Sequence, residues 1–255
     1  MRFQWVVEPE DGEAVRAFVQ ERANKTFVKS RVWRNVEGPV PKFSCEEFWK
    51  GLVMCLLTTQ QRSGPNSAVT RFLCTTPFPL ALASCGTRSA KGRFFRLLQS
   101  AGGIRRTETI AKQLTANLRS LEKGGWSPIE EMACRLGEQR SRPARETDVA
   151  LERQAGVHIR KLQGIGPKQS RNLWQYLGLT RYEIPVDSRI ADWLKKARFP
   201  LSVDAGSLSS SDYYDFVLDG VQMLCRASGV LPCVLDAAIF ASYDKAEWDE
   251  HQMVY

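Results

Sequence analysis

Apolar positions recur at helical spacing along most of the chain. Ser44 and Glu47 have the spacing of a capping box, and the run FWKGLVMCLLTTQQ that follows is apolar on nearly every side, which predicts a buried central helix. An earlier helix fits Asp11 to Asn24, where Val15, Phe18 and Val19 share one face. Before it, RFQWVV (2–7) is compatible with a short strand. After it, an irregular stretch is expected up to the GPVPK boundary.

Further helix-length segments follow the central run, separated by Gly, Pro or Ser. They are NSAVTRFLCTTPF, SAKGRFFRLLQSAG, TETIAKQLTANLRSLEKGG, SPIEEMACRLG, IADWLKKARF, DYYDFVLDGVQMLCRASG and LPCVLDAAIFASYDKAEW. The polar stretch GEQRSRPARETD is predicted to be an exposed loop. The pattern therefore predicts an all-α fold.

Composition adds a class of partner. The chain has 255 residues and a formal charge of +8, which favours a polyanion: an RNA, a DNA or an acidic membrane. No segment approaches the ~20 apolar residues of a membrane span, so we expect a soluble, unprocessed, intracellular protein. The seven cysteines contain no CxxC pair, which predicts reduced thiols and no metal cluster.

The stretch LQGIGPKQS contains a glycine-bracketed turn. Gly164 and Gly166 can take positive φ or bring backbone close to another surface, and Pro167 suits the first helical position. A helix N-terminus with exposed amides would follow, and such an end binds anions such as a DNA phosphate. A plain helical connection with no ligand is the alternative.

Lys168 comes directly after this turn, and Asp187 follows Ile-Pro-Val 19 positions later. With this spacing the chain resembles the helix-hairpin-helix DNA glycosylases that have a Gly/Pro-rich loop and an essential Asp. It is most similar to their lysine-containing 8-oxoguanine DNA glycosylase/AP lyase branch. The resemblance implies a helix-hairpin-helix at about 155–178, with Lys168 as nucleophile and Asp187 as the catalytic carboxylate.

The chemistry of base excision calls for this pair. Breaking the glycosidic bond leaves positive charge on the sugar, which a carboxylate stabilises. An amine that attacks C1′ yields a Schiff base, which permits β-elimination of the 3′ phosphate. A nucleophilic lysine must be partly neutral; a helix N-terminus and desolvation both disfavour the charged form, whereas a nearby ionised Asp favours it.

Two further segments extend the resemblance. The end of LLTTQQ implies that Gln60, with Gln61 beside it, fills the gap left by an extruded nucleotide. SGVLPCVLDAAIFA implies that Asp236 and Phe240, four residues apart on one helix face, meet the extruded base. Phe240 stands where that group has Trp. Solvated glutamines, a helix-capping or ion-paired Asp236 and a core Phe240 are the ordinary alternatives.

Basic residues supply candidate phosphate contacts. Arg189 follows Asp187 by two positions, and a cluster surrounds a Gly-rich connection: Arg88, Lys91, Arg93, Arg96, Arg105 and Arg106. A solvated basic face is the alternative for that cluster. His158 and His251 belong to no catalytic or metal pattern.

Taken together, the resemblance implies two helical domains, residues 45–185 and residues 1–44 plus 186–255, with a DNA-binding cleft between them. The expected activity is excision of an oxidised purine, with 8-oxoguanine as the favoured substrate, followed by cleavage of the strand at the abasic site. The expected partner is double-stranded DNA carrying a damaged base, bound by a monomer without a cofactor; a structural monovalent or divalent cation at the hairpin is left open. A monofunctional glycosylase for alkylated or mismatched bases and a non-catalytic DNA-binding module are the alternatives.

Overall fold

Every regular element in the part of the chain that the structure describes is helical, so the all-α prediction is confirmed. The structure is a computed structural model that describes residues 4–86, 90–244 and 246–249. Its α-helices are α1 (Pro9–Arg22), α2 (Thr26–Val32), α3 (Cys45–Leu57), α4 (Ala68–Leu73), α5 (Ala90–Ser100), α6 (Thr107–Ser120), α7 (Trp126–Arg140), α8 (Asp148–Ile159), α9 (Pro167–Tyr176), α10 (Ser188–Lys196), α11 (Ser211–Ser228) and α12 (Pro232–Tyr243).

Helix α3 forms the centre of one half of the molecule. The Ser44 side chain accepts a hydrogen bond from the Glu47 amide, as the capping pattern predicts. From Phe48 to Leu57 every residue except Lys50 is buried, and the helix packs against α4, α6 and α9. It ends at Leu57, so the polar residues of the predicted run lie in the following turn.

The helices fall into two packing groups. In the middle of the chain, α5 packs on α6, α7 on α8, and α8 on α9. The N-terminal helices pack instead on the C-terminal ones: α1 contacts α11 and α12, and α2 contacts α12, as does α10. The two ends of the sequence therefore come together beside the central helices.

The N-terminal segment departs from the expectation. Residues 4–7 form neither strand nor helix, while residues 2 and 3 lie outside the described part. The stretch expected to be irregular contains α2 and a π-helical turn, Trp33–Glu37. Helix α2 is short and has no side-chain cap, so no local signal marks it; burial of Phe27, Val28 and Arg31 stabilises it.

The prediction of an exposed loop at residues 137–148 is also partly wrong. Helix α7 continues to Arg140, and Asp148, which begins α8, is fully buried. Its carboxylate pairs with Arg142 at 2.7 Å and with Arg181 at 3.0 Å. Ion pairs formed across the fold thus bury residues that look solvated in sequence.

All seven cysteines are free thiols. Within the described residues, no group of three His, Cys, Asp or Glu side chains is arranged to hold a metal ion. No single described helix has the length and apolarity needed to cross a membrane; α11 and α12 meet that test only as a pair, by length and composition, with a 97° bend between them. Arg88 and His251 lie outside the described residues.

Candidate active site

The turn between α8 and α9 is held tightly against its neighbours. Gly164 has φ +82°, and a Cβ there would lie 2.5 Å from a methyl carbon of Leu56 and 2.8 Å from the Gln113 side chain. Asn117 donates to the Gln163 carbonyl at 3.0 Å and accepts from the Gln163 amide at 2.7 Å. Gly164 is therefore needed for both its backbone conformation and its close approach to α3.

Gly166 has a different environment. It precedes α9 in an extended conformation with φ −91°, and a Cβ there would meet nothing within 4 Å. Pro167 is the first helical residue, so the amides of the first turn have no intrahelical acceptor. The open side of Gly166 lets a ligand approach the backbone at this helix end.

Exchanging each glycine for alanine separates these two environments. Gly164→Ala is expected to lower the free energy of unfolding by about 2 to 3 kcal/mol, because it combines a left-handed backbone with a steric clash. Gly166→Ala is expected to leave stability within about 0.5 kcal/mol and to weaken DNA binding. Chemical denaturation and a duplex-binding titration measure the two effects. Equal stability of both variants would contradict this assignment.

Lys168 occupies the second position of α9. Its side chain is half-buried, and within the described residues it makes no hydrogen bond or ion pair. Burial raises the pKa of Asp236 most strongly; the charges of Arg31, Asp187 and Lys168 act on the same carboxyl. Lys168 and Asp187 thus both lie within electrostatic reach of Asp236.

Asp187 is the N-cap of α10. One carboxylate oxygen, Oδ1, accepts from the amides of Arg189 at 2.8 Å and Ile190 at 3.2 Å. The other, Oδ2, accepts no hydrogen bond in the described part of the chain. The helix start therefore orients the carboxylate and leaves one oxygen for a ligand.

One cleft of about 2280 Å³ collects the candidate residues. It runs between the turn after α3, the start of α9, and helices α10 and α12. Nine of the residues proposed from the sequence line it: Gln60, Gln61, Gly164, Gly166, Lys168, Asp187, Arg189, Asp236 and Phe240.

The two glutamines after α3 differ in their surroundings. Both polar atoms of the Gln61 amide are hydrogen-bonded: the nitrogen donates to the Leu57 carbonyl, and the oxygen accepts from the Arg105 amide at 2.8 Å. Gln60 is exposed and has φ +59°, which is uncommon for a residue other than glycine. Gln61 therefore anchors the turn, and Gln60 extends into the cleft.

The cleft is also lined by Arg31 of α2, a residue that the sequence did not indicate. Arg31 of α2 is 5% exposed and lies 3.5 Å from the carboxylate of Asp236, which is 7% exposed. Burial raises the pKa of Asp236 to about 6, and the Arg31 charge opposes that shift. Arg31 lies on α2, which begins without a side-chain cap, so no local sequence pattern indicates this residue.

Phe240 does not present a free ring face. Its ring stacks on Phe27, with centroids 4.4 Å apart, and the Arg189 guanidinium lies 3.9 Å from its centre. These groups occupy opposite faces, because both lie too close to the ring centre to share one. Arg189 also pairs with Asp244 at 3.8 Å. The contact between Arg189 and the ring is a cation–π interaction. An extruded base could stack on Phe240 only if Arg189 moved away.

The raised pKa of Asp236 predicts a pH dependence. Because the folded pKa of about 6 lies above that of a free carboxyl, the folded protein retains this proton between about pH 4 and 6. The associated stability is present at pH 4 and is lost as the pH rises through 6. Thermal unfolding of the parent and of Asp236→Asn should show a difference that changes across this window. A constant difference would contradict the pKa.

The part of the basic cluster that the structure describes contributes differently at each position. Arg105 lines the cleft. Arg93 instead donates hydrogen bonds to the Ser84 carbonyl and hydroxyl.

His158, outside this cluster, is half-buried, and burial lowers its pKa.

Comparisons with known proteins match the fold. No protein-family model matches the chain, and no curated protein matches it. The crystal structure of the 8-oxoguanine DNA glycosylase of Methanocaldococcus jannaschii superposes with a TM-score of 0.62 at 14% sequence identity. The match covers 93% of this chain and 97% of that one.

Proposed function

We propose that the chain is a base-excision-repair DNA glycosylase with AP lyase activity. Its proposed substrate is an oxidised purine, with 8-oxoguanine as the favoured one. One observation carries the proposal: Lys168, which is half-buried and makes no hydrogen bond or ion pair among the described residues, shares one cleft with Asp187, whose carboxylate is oriented and has one oxygen that accepts no hydrogen bond from a described residue. The fold shared with an 8-oxoguanine DNA glycosylase supports it. The formal charge of +8 suits a DNA partner.

The proposed reaction assigns one role to each residue. As the glycosidic bond breaks, positive charge develops on the deoxyribose, and the free oxygen of Asp187 stabilises it. The neutral amine of Lys168 forms a bond to C1′, and the departing base takes up a proton. Ring opening gives a Schiff base between Lys168 and C1′, and loss of a C2′ proton then breaks the C3′–O bond.

Recognition of the lesion falls to the rest of the cleft. The damaged nucleotide leaves the duplex, and the exposed Gln60 fills the gap that it leaves. Asp236, when ionised, accepts hydrogen bonds from the donor edge of a guanine-type base. The open backbone at Gly166 and the first turn of α9 bind a phosphate.

The proposed arrangement has two domains, residues 45–185 and residues 1–44 plus 186–255, with DNA across the cleft between them. The two packing groups support this division. We propose that the chain acts as a monomer on chromosomal DNA inside the cell.

Borohydride trapping tests the proposal. The purified chain is mixed with duplexes that carry 8-oxoguanine, another damaged base or no damage in one sequence, and borohydride is added. A covalent adduct and a cleaved strand are expected with the 8-oxoguanine duplex and absent with the undamaged one. Excision without an adduct would favour a monofunctional glycosylase. Binding without excision or adduct would leave a DNA-binding module.

A further inference from the structure

We infer that Tyr214, braced by Arg171, is a positioning residue that sets Asp187 relative to Lys168; this rests on the proposed function. Tyr214 lies on α11 and Arg171 on α9, and both side chains are almost fully buried. Neither side chain is required to touch the DNA for this role.

Tyr214 holds the segment that leads to Asp187. Its hydroxyl accepts a hydrogen bond from the Val186 amide at 2.5 Å and donates one to the Ile184 carbonyl at 3.2 Å. Val186 is the residue immediately before Asp187. Residues 181–187 form no helix or strand, and side chains accept from or donate to several of their backbone groups.

Glu152 supports the preceding part of the same segment. Its buried carboxylate accepts hydrogen bonds from the amides of Arg181 at 2.9 Å, Tyr182 at 2.7 Å and Glu183 at 2.9 Å. The backbone that reaches Asp187 is therefore held from α8 at one end and by Tyr214 at the other.

Arg171 links Tyr214 to the helix that carries Lys168. Its guanidinium donates to the Pro167 carbonyl at 2.9 Å, one residue before Lys168, and lies 4.4 Å from the centre of the Tyr214 ring. It also pairs with Glu183 at 2.7 Å and with Asp215 at 2.5 Å. One buried cation thus joins the start of α9, the segment before Asp187 and helix α11.

Two proposed catalytic groups from separate elements need such a brace. Nucleophilic attack depends on separations and angles that tolerate little error, and a displacement of about 1 Å can cost about 100-fold in rate. The Asp187 side chain is already oriented by its capping hydrogen bonds. Those bonds do not fix the position of the start of α10 relative to Lys168. The hydrogen bonds of Tyr214 to the segment before Asp187 fix that position.

Tyr214→Phe tests the role, because it removes the hydroxyl and keeps the ring under Arg171. Single-turnover excision of the damaged base is expected to fall about 10- to 100-fold, with the duplex dissociation constant unchanged. Borohydride trapping on a duplex with a ready-made abasic site, where no base remains to be expelled, should change less than about threefold. Retained trapping also shows that the variant is folded.

The adjacent tyrosine provides the matched control. The Tyr213 hydroxyl donates to the Ser202 carbonyl at 2.7 Å, away from Val186, so Tyr213→Phe should excise at the parent rate. Equal excision by the two variants, an equal loss in both steps, or a weakened duplex affinity would overturn the role of Tyr214. If the parent chain itself neither excises nor traps, the proposed function fails instead.

Discussion

Lys168→Gln is expected to abolish the covalent adduct and strand cleavage completely. Glutamine has nearly the same length, but its amide nitrogen cannot attack C1′ or form an imine. In the free protein Lys168 makes no described hydrogen bond or ion pair, so its replacement should leave the fold intact. The adduct is measured by denaturing electrophoresis after borohydride reduction, and stability by thermal unfolding.

Lys195→Gln is the matched control, since Lys195 is an exposed lysine that lines the same cleft. It should keep the adduct and at most weaken DNA affinity. An adduct that persists in Lys168→Gln would show that another amine attacks the sugar. Loss of the adduct in Lys195→Gln alone would place the nucleophile on α10.

Asp187→Asn is expected to reduce single-turnover excision about 100- to 1000-fold. Asparagine caps a helix as well as aspartate does, so its side-chain oxygen can still accept from the Arg189 and Ile190 amides. The exchange therefore removes the negative charge and retains the local structure. Excision kinetics with saturating enzyme and thermal unfolding of the free protein give the two readouts.

Asp192→Asn removes a carboxylate from the same helix and the same cleft. Asp192 lines the cleft, pairs with Lys196 at 2.7 Å and accepts a hydrogen bond from Tyr243. Its replacement should leave excision near the parent rate. Similar excision by Asp187→Asn and Asp192→Asn would contradict a catalytic carboxylate at Asp187, whereas a large loss of stability in Asp187→Asn would make the cap its main role.

A segment could be predicted from the sequence where the interactions that determine its structure join residues close together in the chain. Helix α3, the hairpin at Gly164 and the start of α10 carry caps, glycines and prolines within a few residues, and sequence patterns detect such local signals. Helix α2 carries none of them. Its burial against α12 involves residues from the opposite end of the chain, and no periodicity in a short window contains that information.

The same distinction applies to the site. A lysine after the turn and an aspartate before a helix are visible in the sequence because each belongs to a local motif. The ring of Phe240 is covered by Phe27 and Arg189, and Arg31 lies against Asp236. Each of these contacts joins different elements, so the sequence alone left Phe240 as a candidate stacking surface and did not indicate Arg31.

The sequence by itself determined an all-α fold, the glycine-bracketed turn at Gly164 and the positions of Lys168 and Asp187 at two helix starts. Only the tertiary structure decided that these starts share one cleft, that Gln60 rather than Gln61 is exposed, and that Tyr214 and Arg171 connect the two elements. The physical reason is that caps and turns are short-range hydrogen-bonding problems. The relative placement of helices depends on buried contacts between residues far apart in sequence.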